Sequence, residues 1–152
     1  MHRTSCLVFS LVVAVTAPAC SSSSSFEIAA TPLAGEVGGQ PWTLVLGHTS
    51  AFLSEGEDDF FATLYPTTFT ACGFSEPGGA HLIVAIPKEP GDYELGLGLN
   101  MTFYDGETNR VATNGRIVVD AVTATRVTGG LHAKYDDDNE VDGQFDVTIC
   151  AD

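Results

Sequence analysis

The chain has 152 residues, with 20 acidic and six basic side chains and a formal net charge of −14 at neutral pH. Nucleic acid is excluded as an expected partner, because binding to phosphates requires a basic surface, and the same charge disfavours direct docking on anionic lipid. The length suits one domain with its own core once a targeting segment is set aside.

The first 19 residues have the features of an export signal. Met1, His2 and Arg3 precede an apolar run from Cys6 to Ala17. This run is shorter than the roughly 20 residues that a helix needs to cross a bilayer. A positive start, a short apolar middle and a small-residue end are typical of a removable signal peptide. Its removal takes Arg3 away and leaves 20 acidic against five basic residues, a net charge of about −15.

Cys20 follows Ala17-Pro18-Ala19 and precedes five serines. Small residues before a cysteine at this point resemble the lipobox of bacterial lipoproteins. The resemblance implies that Cys20 receives a diacylglycerol thioether and becomes the first residue of the mature protein, although Leu rather than Ala17 is usual three residues before the cysteine. The alternative is ordinary cleavage at the A-x-A sequence 17–19.

The expected organisation follows from this signal. We expect a signal peptide over 1–19, a lipidated Cys20 with a serine tether over 20–25, and one domain over 26–152. The protein would be exported and lipid-anchored at the cell envelope, with the outer membrane as the expected location. The membrane is then a partner through the lipid anchor.

The remaining cysteines form a pair. Cys6 leaves with the signal and Cys20 carries the lipid, so Cys72 and Cys150 are left in an oxidising compartment. A disulfide between them would close a loop of about 80 residues, for which chain entropy predicts about 4 to 5 kcal/mol of stabilisation. We expect a structural bond rather than a redox centre, because the chain has no C-x-x-C motif.

Period-two alternation, interrupted at short intervals by Gly, Pro, Asp and Asn, predicts strands along the domain. Trp42 to Leu46 alternates, and the apolar run Leu82–Ile86 is typical of a central strand. From Tyr93 to Phe103 every second residue is apolar, which predicts one long strand, or two strands bent near Gly96 and Gly98. Arg116 to Val122 is the next predicted strand.

The last predicted hairpin has Leu131, Ala133 and Tyr135 on the inner face of one strand and alternate residues from Val141 to Ile149 on the inner face of the other. Residues 136–140 are the predicted loop. Cys150 is out of phase with Ile149, so a bond to Cys72 would lie at a sheet edge, or the strand would bulge before its end.

About eight to ten short antiparallel strands predict an all-β fold, a single antiparallel β-sandwich, with a closed β-barrel as the alternative. The opening sequence Gly35–Trp42 and the closing sequence Val141–Phe145 resemble uncharacterised lipoproteins of deltaproteobacterial type. In those proteins a G-x-V-x-G-x-P-[WF] opening and a V-x-G-x-F strand bracket a β domain. The resemblance implies the fold and assigns no activity.

The acidic segment 136–142 is the strongest candidate for a metal site. Hard cations such as calcium take six to eight oxygen ligands, which closely spaced carboxylates supply. An EF-hand is not expected, because position twelve of that frame is Ile149 and a strand follows. A solvated acidic hairpin end is the alternative, and Glu55–Asp59 has the same two interpretations. The candidate calcium ligands are Asp136, Asp138, Glu140 and Asp142.

Catalytic motifs are not found in the sequence. Gly73–Pro77 lacks the last glycine of G-x-S-x-G and the strand–turn–helix setting of that motif, and no phosphate-binding glycine loop occurs. His48, His81 and His132 have no recognised ligand spacing. We therefore expect no catalytic residues, no enzyme and no cofactor apart from possible calcium. Aromatic residues that could contact a sugar or a partner are Phe60, Tyr65, Phe69, Phe74 and Tyr104.

The leading expectation is a membrane-anchored exported lipoprotein with a non-enzymatic binding or structural β domain, whose partner is an unidentified protein or glycan. The first alternative is a calcium-dependent carbohydrate-binding or adhesion module. The second alternative is a small hydrolase.

Overall fold

The computed structural model of the chain describes residues 27–151. The expected signal peptide, Cys20 and the serine tether lie outside the described residues. Within the described range the chain forms eleven strands and one short helix, so the predicted all-β fold is confirmed. No helix in this range is long and apolar enough to span a membrane.

The strands are, in chain order, β1 (Ala34–Val37), β2 (Gln40–Thr43), β3 (Leu46–Thr49), β4 (Asp59–Tyr65), β5 (His81–Pro87), β6 (Gly91–Glu94), β7 (Met101–Tyr104), β8 (Asn109–Ala112), β9 (Asn114–Val122), β10 (Arg126–Asp136) and β11 (Asn139–Thr148). Helix α1 (Ala51–Ser54) connects β3 to β4. It begins after Ser50, whose side-chain oxygen accepts a hydrogen bond from the Leu53 amide at 3.3 Å, as N-cap serines do.

One continuous sheet contains all the strands, in the order β6-β9-β10-β11-β3-β4-β5-β7-β8, with β1 paired to β11 and to β2. The sheet curls strongly into a half-barrel, so its concave face encloses the core. The strand pairs are antiparallel except β11 with β3, which run parallel and meet at Thr148 and His48. The sequence predicts antiparallel pairing throughout, and this parallel pair makes the sheet mixed.

The parallel pair arises because β11 has ten residues and different neighbours along its length. Its first residues pair with β1, where Gly35 lies opposite Val141. Its last residue pairs with β3. The chain reverses between β1 and β2 and then runs on into β3, which brings β3 alongside β11 in the same direction.

The core lies on the concave face, where alternation places the apolar residues. The final hairpin follows the predicted rhythm from Leu131 to Val147, whereas Tyr135, near the strand end, is half exposed. Fully buried core residues on the other strands are Ala62, Leu64, Leu82, Val84, Ile86, Met101, Phe103, Ile117 and Val119.

The alternating segment from Tyr93 to Phe103 is not one long strand. β6 ends at Glu94 on an edge of the sheet beside β9, and β7 begins at Met101 beside β5. Residues 95–100 cross between these two places, and the Gly96 amide donates to the Leu99 carbonyl at 2.7 Å. Leu97 is therefore 94% exposed and does not share the inner face. The alternative of two strands, broken at the glycines, describes the chain correctly.

The β10–β11 turn is tighter than the predicted loop over 136–140. Only residues 137 and 138 lie outside the two strands. The buried Asn139 stabilises the turn: its amide donates to Asp136 Oδ1 at 2.7 Å, and its oxygen accepts from the Gly38 amide at 2.9 Å. These side-chain bonds tie the turn to the β1–β2 hairpin.

Gly129 tests how closely the strands β9 and β10 approach. A Cβ at this position would lie 1.9 Å from the Val118 carbonyl oxygen. We predict that Gly129→Ala lowers the free energy of unfolding by about 2 kcal/mol, because backbone within a ladder cannot move aside. Gly96→Ala is the control, since nothing lies within 4 Å of its Cβ, and should change stability by less than about 0.5 kcal/mol. Urea unfolding measures the stability of both variants. Equal losses of stability in the two would contradict the close pairing of β9 with β10 at Gly129.

Candidate functional site

The loop 66–80, here called the disulfide loop, connects β4 to β5 and covers His48 and Tyr65 on the convex face of the sheet. His48 and Tyr65 alternate with core-facing neighbours such as Leu64, so their side chains leave the core. They are nonetheless only 6% and 2% exposed. Phe69 of the loop packs edge-on against both rings, with centroids 5.0 Å apart in each pair. The loop therefore buries two polar rings outside the core.

A disulfide holds this loop in place. Cys72 in the loop is bonded to Cys150, 78 positions later, as the sequence predicts. β11 ends at Thr148, so Cys150 lies just beyond the strand, and its amide donates to Thr49 Oγ1 at 3.0 Å. In the alternation of β11 the odd-numbered residues face the core. Cys150, at an even position, therefore faces the convex side, where the loop lies, and no bulge is needed to bring it there.

Glu76 of the same loop links the two covered rings. Its carboxylate accepts a hydrogen bond from the Tyr65 hydroxyl at 2.7 Å and lies 3.0 Å from His48 Nε2. The Cys72 amide donates to His48 Nδ1 at 3.1 Å. Since Nδ1 accepts, the ring proton is on Nε2 and is donated to Glu76, which fixes the tautomer. Burial, and then the neighbouring Glu76 carboxylate, raise the pKa of the Tyr65 hydroxyl above its usual range.

Cys72 is backbone-strained. Its φ of +60° is the one left-handed backbone angle at a non-glycine residue within 27–151. Such a conformation costs about 1–3 kcal/mol and persists only where the surroundings enforce it. Here the disulfide and the bond from the Cys72 amide to His48 do so. Cys72 lies in a turn in which the Gly73 amide donates to the Thr70 carbonyl at 3.2 Å.

A row of rings continues from the covered site across the sheet. His81 lies 5.1 Å from Tyr65 and 4.7 Å from Tyr104, centroid to centroid, on neighbouring strands. Of the five aromatic candidates from the sequence, Tyr65 is buried, and Phe60, Phe69 and Tyr104 are partly buried. Phe74, two residues after Cys72, is fully exposed.

The four predicted calcium ligands are spread along the final hairpin. Asp136 Oδ1 accepts from the Asp138 amide at 3.1 Å and from the Asn139 side chain. Glu140 pairs with Lys134 at 2.9 Å. Asp142 Oδ1 accepts from the Ala29 amide at 3.1 Å. Each of Asp136, Glu140 and Asp142 therefore already has partners in the protein, and the calcium site stays a prediction.

A different set of potential ligand atoms does converge. In the described part of the chain, the one group of three His, Cys, Asp or Glu residues whose ligand atoms all lie within 4.8 Å of one another is His48, Cys72 and Cys150. Cys150 Sγ lies 3.7 Å from His48 Nδ1. These residues are the same ones that hold the disulfide loop.

The second acidic candidate, Glu55–Asp59, borders a cleft of about 460 Å³ that Tyr93 and Leu99 also line. Lys88 Nζ closes one side by donating to the carbonyl oxygens of Ser54 and Glu57 at 2.6 and 2.8 Å. Burial, and then the neighbouring Asp58, raise the pKa of the Asp59 carboxyl. The cleft is open and acidic, and the Lys88 ammonium on its wall is already hydrogen-bonded to backbone carbonyl oxygens.

Comparison of the chain with family models, with curated proteins and with solved structures gives no significant match. Function is therefore inferred from the chain's own residues.

Sequence reasoning missed the link between His48, Glu76 and Tyr65. It found no recognised ligand spacing for His48 and considered Gly73–Pro77 only as an incomplete hydrolase motif. One signal was available: strand parity puts His48 and Tyr65 on the side away from the core, and the Cys72–Cys150 bond brings a loop to that side.

Asp105 provides a pH test of the β7–β8 hairpin, whose turn approaches Gly38. Its carboxylate accepts from the Thr108 and Glu107 amides at 2.8 and 2.9 Å and pairs with Arg110. These bonds, in that order, lower the pKa of the Asp105 carboxyl to about 2.

A lowered folded-state pKa stabilises the fold above the unfolded value of about 4 and loses that effect as pH falls toward the folded value. We predict that Asp105→Asn lowers the melting temperature at pH 6 and that the gap from wild type shrinks between pH 4 and 2. Asp120→Asn, at an exposed carboxylate of β9, is the control. A gap that stays constant down to pH 2 would contradict the assignment.

Proposed function

We propose that this chain is an exported lipoprotein, anchored through Cys20 at the cell envelope, whose β domain is a non-enzymatic binding module. The observation that carries the binding part is Phe74. This ring is fully exposed, yet it belongs to a loop fixed by a disulfide and by the Glu76 bonds to His48 and Tyr65. Large exposed rings on a fixed backbone are typical of binding surfaces.

The fixed backbone matters because binding costs conformational entropy. A mobile loop must be ordered when its partner binds, whereas a loop that is already held loses less freedom. Phe74 can then contribute its apolar area to a complex with little reorganisation. The partner we propose first is a protein with an apolar pocket, into which the Phe74 ring would insert.

The anchor part rests on the sequence. A signal peptide over 1–19, Cys20 at its end and a serine tether place the domain outside the cytoplasm, and a disulfide suits that compartment. The outer membrane is the proposed location.

A glycan is the second candidate partner, because sugar rings stack on exposed aromatic side chains such as Phe74. Calcium binding by Asp136, Asp138, Glu140 and Asp142 would require three of them, Asp136, Glu140 and Asp142, to exchange their present partners for an ion. Glycan binding without calcium is therefore the simpler form of this alternative.

Phe74 and Phe52 offer a matched pair of variants, since Phe52 is 81% exposed but lies on α1, outside the disulfide loop. We predict that Phe74→Ala weakens binding to a detergent extract of cell envelopes about tenfold or more. Phe52→Ala should leave binding unchanged. A pull-down quantified by mass spectrometry, and a glycan array with and without calcium, measure this.

Equal binding by Phe74→Ala and wild type on both platforms would contradict the role of the loop. A loss confined to the glycan array would favour the glycan alternative.

The anchor is tested separately. With the full chain expressed in a bacterium, we predict that globomycin, which blocks lipoprotein signal cleavage, causes a larger precursor to accumulate. Cys20→Ala should move the protein from the membrane fraction to the released fraction, since the acyl chains that hold it there are lost. Normal processing under the drug, with release unaffected by Cys20→Ala, would contradict lipidation.

A further inference from the structure

We infer that reduction of the Cys72–Cys150 disulfide creates a binding site for a soft divalent cation of the zinc class, with Cys72 Sγ, Cys150 Sγ and His48 Nδ1 as ligands. This inference is independent of the anchor and of the partner of Phe74. It concerns the chemistry of the residues that hold the disulfide loop.

The ligand atoms are already close to the required spacing. Tetrahedral zinc holds sulfur at about 2.3 Å and imidazole nitrogen at about 2.0 Å, which puts neighbouring ligand atoms about 3.6–3.8 Å apart. Cys150 Sγ and His48 Nδ1 are 3.7 Å apart, and all three ligand atoms lie within 4.8 Å of one another. On reduction the two sulfurs must separate and the Cys72 amide must move off Nδ1. Breaking the disulfide removes the covalent bond that holds Cys72 in its present position.

The histidine is also prepared for a metal. Its Nδ1 carries no proton, because it accepts a hydrogen bond from the Cys72 amide, and its Nε2 proton is directed at Glu76. Histidine ligands in metal sites commonly donate a hydrogen bond from the N–H of their second ring nitrogen to a carboxylate. This bond fixes the orientation of the ring and makes the ligating nitrogen more basic. The metal would replace the amide as the partner of Nδ1, and Glu76 would keep its place.

The chemistry balances with a named reductant. A dithiol reductant transfers two electrons to the disulfide, becomes a cyclic disulfide itself and leaves two protein thiols. The divalent cation then binds both sulfurs as thiolates and releases two protons to solvent. Three protein ligands and a water complete four-coordination. Metal binding and disulfide formation therefore compete for the same two sulfurs.

The metal would also take over the mechanical role of the bond. In the oxidised protein the disulfide joins the loop to the chain end after β11. In the reduced protein a bound ion would join the same residues at a similar distance. The loop would thus be held in both states and released only in the reduced, metal-free protein.

Cobalt is the probe that tests this site, because thiolate-to-cobalt charge-transfer bands report sulfur ligands directly. The mature chain is reduced without oxygen by a phosphine in place of the dithiol, because a dithiol would itself bind the metal, and Co²⁺ is then added. The phosphine supplies the two electrons and takes an oxygen atom from water to become a phosphine oxide, and the two water protons go to the protein thiols. We expect one equivalent to bind with charge-transfer bands, which zinc then displaces. The oxidised protein should give no such bands. Their absence in the reduced protein would overturn the inference.

Variants separate a built site from simple binding by two thiols. His48→Gln should weaken cobalt binding at least tenfold, and Glu76→Gln about tenfold through the orientation of the ring. His81→Gln is the matched control, since its Nδ1 contacts the Gly79 carbonyl and the ring lies outside the ligand group. Near-ultraviolet dichroism confirms that each variant is folded. Equal affinity in the His48 and His81 variants would contradict a role for His48.

Discussion

The disulfide between Cys72 and Cys150 is the constraint on which the rest of the convex face depends. The two halves of the curled sheet meet where β11 lies beside β3. These two strands pair at a single position, Thr148 opposite His48. Cys150 lies two residues after Thr148; its amide donates a hydrogen bond to Thr49, and its sulfur is bonded to Cys72 of the loop. A bond closing a loop of this size stabilises by about 4 kcal/mol, a large part of the 5–15 kcal/mol typical of whole domains.

Charge has a smaller structural role than its excess suggests. Pairs such as Arg116 with Asp92 and Arg126 with Asp146 lie at the surface, where an ion pair contributes at most about 1 kcal/mol. The acidic surface keeps the domain solvated and repels anionic partners. Exposed apolar side chains lie at several places on this surface, and Phe74 differs from the others in standing on the loop that the disulfide holds.

Much of the fold could be predicted from the sequence because strand periodicity reports which side a residue faces. It placed the core residues of the final hairpin, and counting cysteines identified the bond between Cys72 and Cys150. Periodicity does not report which strands are neighbours, so the parallel pair of β11 with β3 and the crossing at 95–100 were missed. The burial of His48 and Tyr65 was missed for a related reason: a loop distant in sequence covers them, and no local pattern encodes that contact.

Hydrogen exchange on the double variant Cys72→Ser/Cys150→Ser tests the role of the disulfide most directly. If the bond holds the loop, the amides of residues 66–80 should exchange much faster than in the oxidised wild type. These include the amide at position 72, which in the wild type donates a hydrogen bond to His48. The inner strand β5, paired on both sides with β4 and β7, should remain protected under native conditions. An unchanged exchange rate in the loop, or an equal increase along the whole chain, would contradict the account.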